Sequence, residues 1–329
     1  MPDPDTQFAN CCQHPAEDRR TLFPATDYVS GDRFDVVRCE SCEAVFTWPV
    51  PEGEEWARYY PAAYYRSSEG KRFPGPVEFL QRQLYAARAR SVERMLGGAR
   101  GRVLDVGCGP GFLLRAFHRR GWETTGTELS ETAASFAREQ LKLNVESREL
   151  ADMKLPDSHF DAVVVWHALE HIPQPEILLN EIARVLRPGG VLMVGAPNWG
   201  SPESQLAGPK WFQLDVPRHV NHFTAEKLEQ DLNAVGLEVR KRGFLAPEFD
   251  FFSFVQTALN VAGLKHNLLY NLLRRNAGKV TSDRIAGWQT TATLALTPLL
   301  SLAALPAVLL AAFLEEGGSM TFHAVKRGR

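Results

Sequence analysis

The sequence predicts an α/β fold of the doubly wound type, an open parallel sheet with helices on both faces, and three observations predict it. The run VLDV, Val103 to Val106, is apolar except for Asp105 and reads as a buried parallel strand. It passes directly into Gly107-Cys108-Gly109-Pro110-Gly111. Those glycines allow dihedrals closed to other residues and leave no side chain between the backbone and a ligand. A second strand, Trp122 to Thr127, then ends on an acid, Glu128, 21 residues after Gly107.

The spacing discriminates between ligands. A dinucleotide turn follows G-x-G-x-x-G, with its third small residue where the helix packs on the strand and a pyrophosphate at the helix N-terminus. Here Phe112 holds that third position and the glycines follow G-x-G-x-G. Asp105, inside the leading strand, would repel a pyrophosphate but suits the ammonium and sulfonium of S-adenosylmethionine. Glu128 stands where a carboxylate accepts both hydroxyls of a ribose. A nicotinamide oxidoreductase is therefore disfavoured.

With these residues in place, the stretch from about Gly101 to Gly243 resembles the class I S-adenosylmethionine-dependent methyltransferases. The resemblance continues through FDAVVVWHALEHIPQPEILLNEIARVLRPGGVLMVGAPN, Phe160 to Asn198, similar to that family's fourth strand, following loop and helix, and fifth strand. DVPRHVNHFT, Asp215 to Thr224, resembles the substrate-side loop of one bacterial branch. The resemblance implies a Rossmann-like, seven-stranded doubly wound sheet. It assigns Asp105, Gly107, Gly109 and Gly111 to the amino-acid end of the donor, Glu128 to its ribose and Leu129 to packing on adenine. Asp152 is the candidate for the adenine edge, and Cys108 reads as a small packed residue beside the donor.

At 329 residues, 44% of them hydrophobic, the chain suits a core domain with appendages. Its net charge of −2 gives no basic footprint, so nucleic acid is not an expected partner. The start, MPDPDTQFAN, is acidic and polar and lacks a signal-peptide pattern, so the expected location is cytoplasmic, peripheral on the inner face of the membrane where docking occurs. The expected organisation is a module over 1–66, read as irregular; a linker helix within 67–99, over Pro76 to Leu96; the core over 100–244; an apolar insertion over 245–318; and a final core strand within 319–329.

Cys39-x-x-Cys42 is one half of a zinc knuckle. Cys11-x-x-His14 is the candidate other half, with Cys12 as an alternative ligand. The methyltransferase branch named above often carries a zinc-ribbon-like module ahead of its core, and RCESCEAVFTWPVP, Arg38 to Pro51, resembles its second knuckle, although His14 stands where a second Cys is usual. Four protein ligands would make such an ion structural. The plainer alternative is reduced thiols in a small appendage.

Three histidines are the candidate catalytic residues, His219, His222 and His167. His167 and His171 flank Glu170 after the fourth strand, at the carboxyl edge where open α/β sheets bind ligands. Their i, i+4 spacing fits a metal pair, or one pocket residue and one packed residue. His219 and His222 share a polar loop with Asp215 and Arg218, and His219 is the favoured general base because imidazole titrates near neutrality. A loop-holding role for both histidines is the alternative.

Ile285 to Leu314 holds no charged residue, and Ala292 to Leu314 is long enough as a helix to cross a bilayer, yet Pro298 and Pro306 interrupt it. If SMTFHAVKR, Ser319 to Arg327, returns to the sheet, a single crossing is ruled out. The expectation is a helical hairpin bent near Pro306 that dips into one leaflet, with a homodimer interface as the alternative. Lys265, Arg274, Arg275 and Lys279 supply cations for anionic headgroups. The expected function is thus methyl transfer to an amphipathic, lipid-linked or glycan-type acceptor at a membrane surface. The alternatives are a soluble sugar nucleotide or small metabolite as acceptor, and a non-catalytic donor-binding module.

Overall fold

The computed structural model describes residues 14, 16–60, 75–273 and 286–328. Cys11 and Cys12 of the expected knuckle, and Arg274, Arg275 and Lys279 of the basic cluster, lie outside the described residues.

The N-terminal part is more regular than the irregular segment expected from sequence. Strands β1 (Arg19–Thr26), β2 (Arg33–Cys39) and β3 (Val45–Trp48) form an antiparallel sheet, followed by the short helix α1 (Trp56–Tyr59). The strands were hard to read because Pro24 lies inside β1. β1 is the edge of its sheet, where a missing N–H costs no ladder bond. Helix α2 (Gly75–Met95) then leads into the core, with Ala89 and Val92 fully buried.

The core alternates strands and helices as its apolar pattern dictates: β4 (Arg102–Val106), α3 (Phe112–His118), β5 (Glu123–Thr127), α4 (Glu131–Glu139), β6 (Val145–Glu146), β7 (Phe160–Trp166), α5 (Pro175–Val185) and β8 (Leu186–Pro197). After helix α6 (Pro202–Ala207) come β9 (Asn221–His222), α7 (Ala225–Ala234) and β10 (Leu237–Gly243). The insertion contributes α8 (Pro247–Val261), α9 (Leu268–Leu273) and α10 (Gly287–Phe313), and β11 (Ser319–Lys326) closes the chain's sheet.

The main sheet has seven strands in the order β10-β11-β8-β7-β4-β5-β6, a Rossmann-like arrangement in which β11 runs antiparallel to both neighbours. Its two faces bury different residues of the same strands. Leu104, Val106, Val163, Val165, Leu192 and Val194 pack with Leu179, Ile182, Leu228 and Leu232 of α5 and α7. Val103, Ala162, Val164, Val191 and Met193 pack with Val92, Leu113, Leu114, Phe117 and Ala134 of α2, α3 and α4. Strand residues buried on both faces explain the near-continuous apolar runs.

The second sheet, β1-β2-β3-β9, borrows its last strand from the core, because Val45 and Phe46 pair with His222 and Asn221. The N-terminal module is therefore stitched to the loop over 215–222. The insertion also differs from the expected hairpin. α10 is one helix of 27 residues that continues through Pro298 and Pro306. Each proline removes one i to i−4 bond, at the carbonyls of Leu294 and Leu302. The helix survives because Ala292, Leu300 and Ala304 pack with Val255, Leu259 and Leu269. The opposite face is bare: Leu302 is 81% exposed and Phe313 83%, with Leu299, Leu305 and Leu310 also exposed.

Candidate functional site

The glycine bend at the carboxyl end of β4 has the geometry its sequence requires. Gly107, Gly109 and Gly111 all take positive φ, +67°, +53° and +80°. Their surroundings divide their roles. A Cβ on Gly107 would lie 2.7 Å from the Ala168 Cβ, and one on Gly111 would lie 2.8 Å from Leu143 Cδ1 and 3.1 Å from the Ala137 Cβ, so both are packing glycines. Gly109 faces open space, as a backbone meant to lie against a ligand would. Cys108 donates its N–H to Thr127 at 2.9 Å, and its sulfur occupies the room that a Cβ on Gly126 would need. Burial pushes its thiol well above the ordinary range, which suits a packed residue and not a nucleophile.

Asp105 is buried at the end of β4, and among the described residues its Oδ2 has no hydrogen-bond partner. Burial, reinforced by the nearby Glu128 carboxylate, raises its pKa to about 8. An orphaned buried carboxyl is costly unless a cation or donor meets it, and the ammonium of S-adenosylmethionine is such a group. Glu128 accepts from the Gly109 N–H at 2.8 Å and the Ser130 N–H at 2.7 Å, one bond to each oxygen. A second lone pair on each oxygen remains for ribose hydroxyls. Leu129 is 63% exposed beside it, an apolar surface open to a base. Asp152 is exposed on the 3-10 turn Ala151–Met153. These residues fit the donor in charge and shape.

Across the carboxyl edge of the sheet, the loop after β7 and the loop before α7 bring four histidines around one acid. Glu170 is 1% exposed, and among the described residues its carboxylate is paired with His167. Burial alone would raise its pKa, but the facing His167, His171 and His219 outweigh it and bring it down to about 2. His167, held at φ +49°, places Nδ1 3.4 Å from Glu170 Oε1 and stacks on Phe249 with ring centres 4.0 Å apart. His171 sets Nδ1 2.8 Å from the Arg218 carbonyl and 3.3 Å from the Tyr60 hydroxyl. His219 sets Nδ1 2.7 Å from the Gln213 carbonyl, and its ring lies 4.7 Å from that of His171. Burial and the neighbouring His171 lower its pKa to about 4, so it is neutral at physiological pH.

His222 is placed differently from His219. Thr47 donates its hydroxyl hydrogen to the His219 carbonyl at 2.7 Å, so at 3.0 Å the His222 Nε2–H must be the donor to Thr47 Oγ1. Burial drops its pKa to about 3. This ring ties the loop to the N-terminal sheet. Arg218, which shares that polar loop, does the same and is fully buried. It reaches Asp27 at 2.8 Å, Asp215 at 2.6 Å and the Tyr59 carbonyl at 3.1 Å, under the Tyr28 ring. Tyr60, Asp27 and Thr47 escaped sequence reasoning because their partners lie more than a hundred residues away.

Of the expected zinc ligands, Cys39 is buried and Cys42 half-buried in a small cluster with Val37 and Phe46, and Cys42 shares a cavity of about 280 Å³ with His14. Among the described residues, His14, Cys39 and Cys42 are not gathered to within ligand distance of one another, whereas Glu170, His171 and His219 are.

Comparison with known proteins agrees with this geometry. The methyltransferase-domain family matches residues 79–242. The ubiquinone biosynthesis O-methyltransferase of Alkalilimnicola ehrlichii is 38% identical over 122 residues, 35% of this chain and 49% of that protein. The enzyme of that name from Pseudomonas fluorescens is 29% identical over 194 residues, 52% of this chain and 83% of that protein. The chain thus spans about half the length of the first relative and most of the second. A solved S-adenosylmethionine-dependent methyltransferase from Archaeoglobus fulgidus is 22% identical, covers 74% of this chain and 94% of its own, and superposes with a TM-score of 0.46. With a family match that spans the glycine bend and most of the seven-stranded sheet, the chain belongs to the class I S-adenosylmethionine-dependent methyltransferases.

Proposed function

We propose that the protein transfers the methyl group of S-adenosylmethionine to an amphipathic or lipid-linked acceptor presented at a membrane surface. In-line displacement at a sulfonium needs donor and acceptor held in line, an effect that can contribute about 7–11 kcal/mol. On this reading Asp105 and the glycine bend hold the amino-acid end, Glu128 the ribose and Leu129 the base. The acceptor approaches from the side of His167, His171 and His219. His219, neutral and with Nδ1 at a carbonyl, keeps Nε2 as a lone pair for the acceptor's proton.

The observation that carries the membrane part is α10. Leu299, Leu302, Leu305, Leu309, Leu310 and Phe313 are exposed on a charge-free helix packed along α8. Since β11 returns to the sheet within six residues of its end, α10 lies on the protein's side and its bare face suits the plane of a bilayer interface. α8 also carries Phe249, the residue stacked on His167, so the docking face and the acceptor side share one element. The relatives named for O-methylation in ubiquinone biosynthesis support an acceptor of this class.

Flotation with anionic liposomes tests it. The protein should rise with the vesicles, and the double change Leu302→Glu, Phe313→Glu should leave it at the bottom. Intact protein that stays soluble as a monodisperse dimer would instead assign α10 to a subunit interface and favour a soluble acceptor.

A further inference from the structure

We propose that Arg82, Arg115 and Arg119, with Phe79 and Leu80 beside them, form a second membrane contact that takes the phosphates of anionic lipid headgroups. The inference rests on the reading of α10 as a docking face, and adds to it a charge-reading surface on α2 and α3.

Arg115 lies on α3 and Arg119 caps its C-terminus, four residues on and so on the same side. α2 packs alongside, since its Val92 shares a core with Leu113, Leu114 and Phe117, and it brings Arg82 close enough to act on Arg115. Burial first, then Arg119 and Arg82, lower the pKa of Arg115, while Glu78 acts the other way and least strongly. Glu78 is already paired with Arg82. Most surface arginines of this chain reach an acid of their own, as Arg138 reaches Glu131 and Arg187 reaches Asp161. Among the described residues no acid forms an ion pair with Arg115 or Arg119, while the next arginine, Arg120, is bound to Glu93. A helix C-terminus favours one cation, but cations that repel one another stay unbalanced until an anion joins them. An anion is the missing partner.

The apolar neighbours say which anion. Phe79 is 64% exposed and Leu80 56%, three and two residues before Arg82 on α2. A ring and methyl groups beside guanidinium groups match the boundary where acyl chains meet phosphates, the apolar part entering while the cations stay among the headgroups. Arginine suits phosphate because its planar fork donates two parallel hydrogen bonds. A chain of net charge −2 has no basic excess for nucleic acid. α2 is also tied to the insertion, because Arg88 pairs with Glu248 in the first turn of α8, the helix against which α10 packs. The charged patch and the bare face of α10 therefore belong to one joined framework.

The test floats full-length protein with phosphatidylcholine vesicles, with and without about one-third phosphatidylglycerol, at low and high salt. Phosphatidylglycerol should strengthen partition, and salt should remove that gain. Arg115→Gln combined with Arg119→Gln should weaken binding to the anionic vesicles roughly 25-fold, about fivefold per charge. The same variant should keep its S-adenosylhomocysteine binding and its partition onto phosphatidylcholine alone. Leu302→Glu combined with Phe313→Glu should instead weaken partition onto both vesicles. Equal partition of wild-type protein onto the two compositions, or a phosphatidylglycerol gain as large in the arginine variant, overturns the proposal and leaves α10 as the docking face. Phosphatidylglycerol-dependent binding that survives the changes at Leu302 and Phe313 but not those at the arginines upholds this contact and sinks the α10 reading. Binding to neither vesicle sinks both.

Discussion

Asp105 makes the donor site's affinity depend on pH in a way that can be worked out beforehand. With its pKa at about 8 in the donor-free protein, about ten of eleven molecules carry the proton at pH 7. Ionising it at that pH costs about 1.4 kcal/mol. An ammonium about 4 Å away, at an effective dielectric of about 20, returns about 4 kcal/mol. Attraction therefore wins by about 2–3 kcal/mol, and binding expels close to one proton at pH 7. Donor affinity should rise about tenfold from pH 6 to 7 and about fivefold from 7 to 8. Titration calorimetry in buffers of different ionisation enthalpy reads the proton release directly. Asp105→Asn should weaken binding roughly 70-fold at pH 7 and flatten the rise between pH 6 and 7. That variant also controls for the ligand's own ammonium, which titrates near 8. Because burial raises this acid's pKa in the folded protein, donor-free stability should fall as pH climbs from about 4 through 8, and the Asn variant should lack that fall. A wild-type affinity unchanged between pH 6 and 7, with no buffer-dependent heat, would refute the reasoning.

Three further outcomes follow from the packing. Gly109→Ala should weaken donor binding with little loss of thermal stability beyond the roughly 1 kcal/mol of its left-handed backbone, whereas Gly111→Ala should lower the melting temperature markedly, because its Cβ meets Leu143 and Ala137. Equal effects in a melting and binding comparison would contradict the division of roles. Arg218→Ala leaves the buried Asp27 and the half-buried Asp215 without their guanidinium and should cost about 3–5 kcal/mol in urea unfolding; a loss below about 1 kcal/mol would mean that the clamp is not structural. Thr47→Val removes the hydroxyl that His219 and His222 share and should cost about 1–3 kcal/mol, with activity falling in step with stability; full stability would show that the N-terminal sheet does not brace the loop.

Periodicity and turn chemistry carried the core. The strand before the bend, the acid after β5 and the helix over 75–95 could all be located from local patterns, since each is set by neighbours in sequence. The N-terminal strands could not. They are short, they carry Pro24 on an edge, and they complete a sheet only by pairing with Asn221 and His222. The prolines of α10 misled for a related reason: their local signal says break, while packing against α8 holds the helix together. At the site, the sequence made both His219 and His222 catalytic candidates and favoured His219 as the base. Their different fates hang on Thr47, a contact that no spacing rule contains. Arg218 could be read only as a member of a polar loop, and Asp27, distant in sequence, makes it a buried clamp.

If this bend carries a methyl donor, the methyl group must reach an acceptor. A membrane-containing extract incubated with the protein and methyl-labelled S-adenosylmethionine, then partitioned between organic and aqueous phases, tests it most directly. Label is expected in a small molecule of the organic phase, reduced for Asp105→Asn and for Gly109→Ala. No label transferred to any acceptor by protein that binds the donor would contradict it.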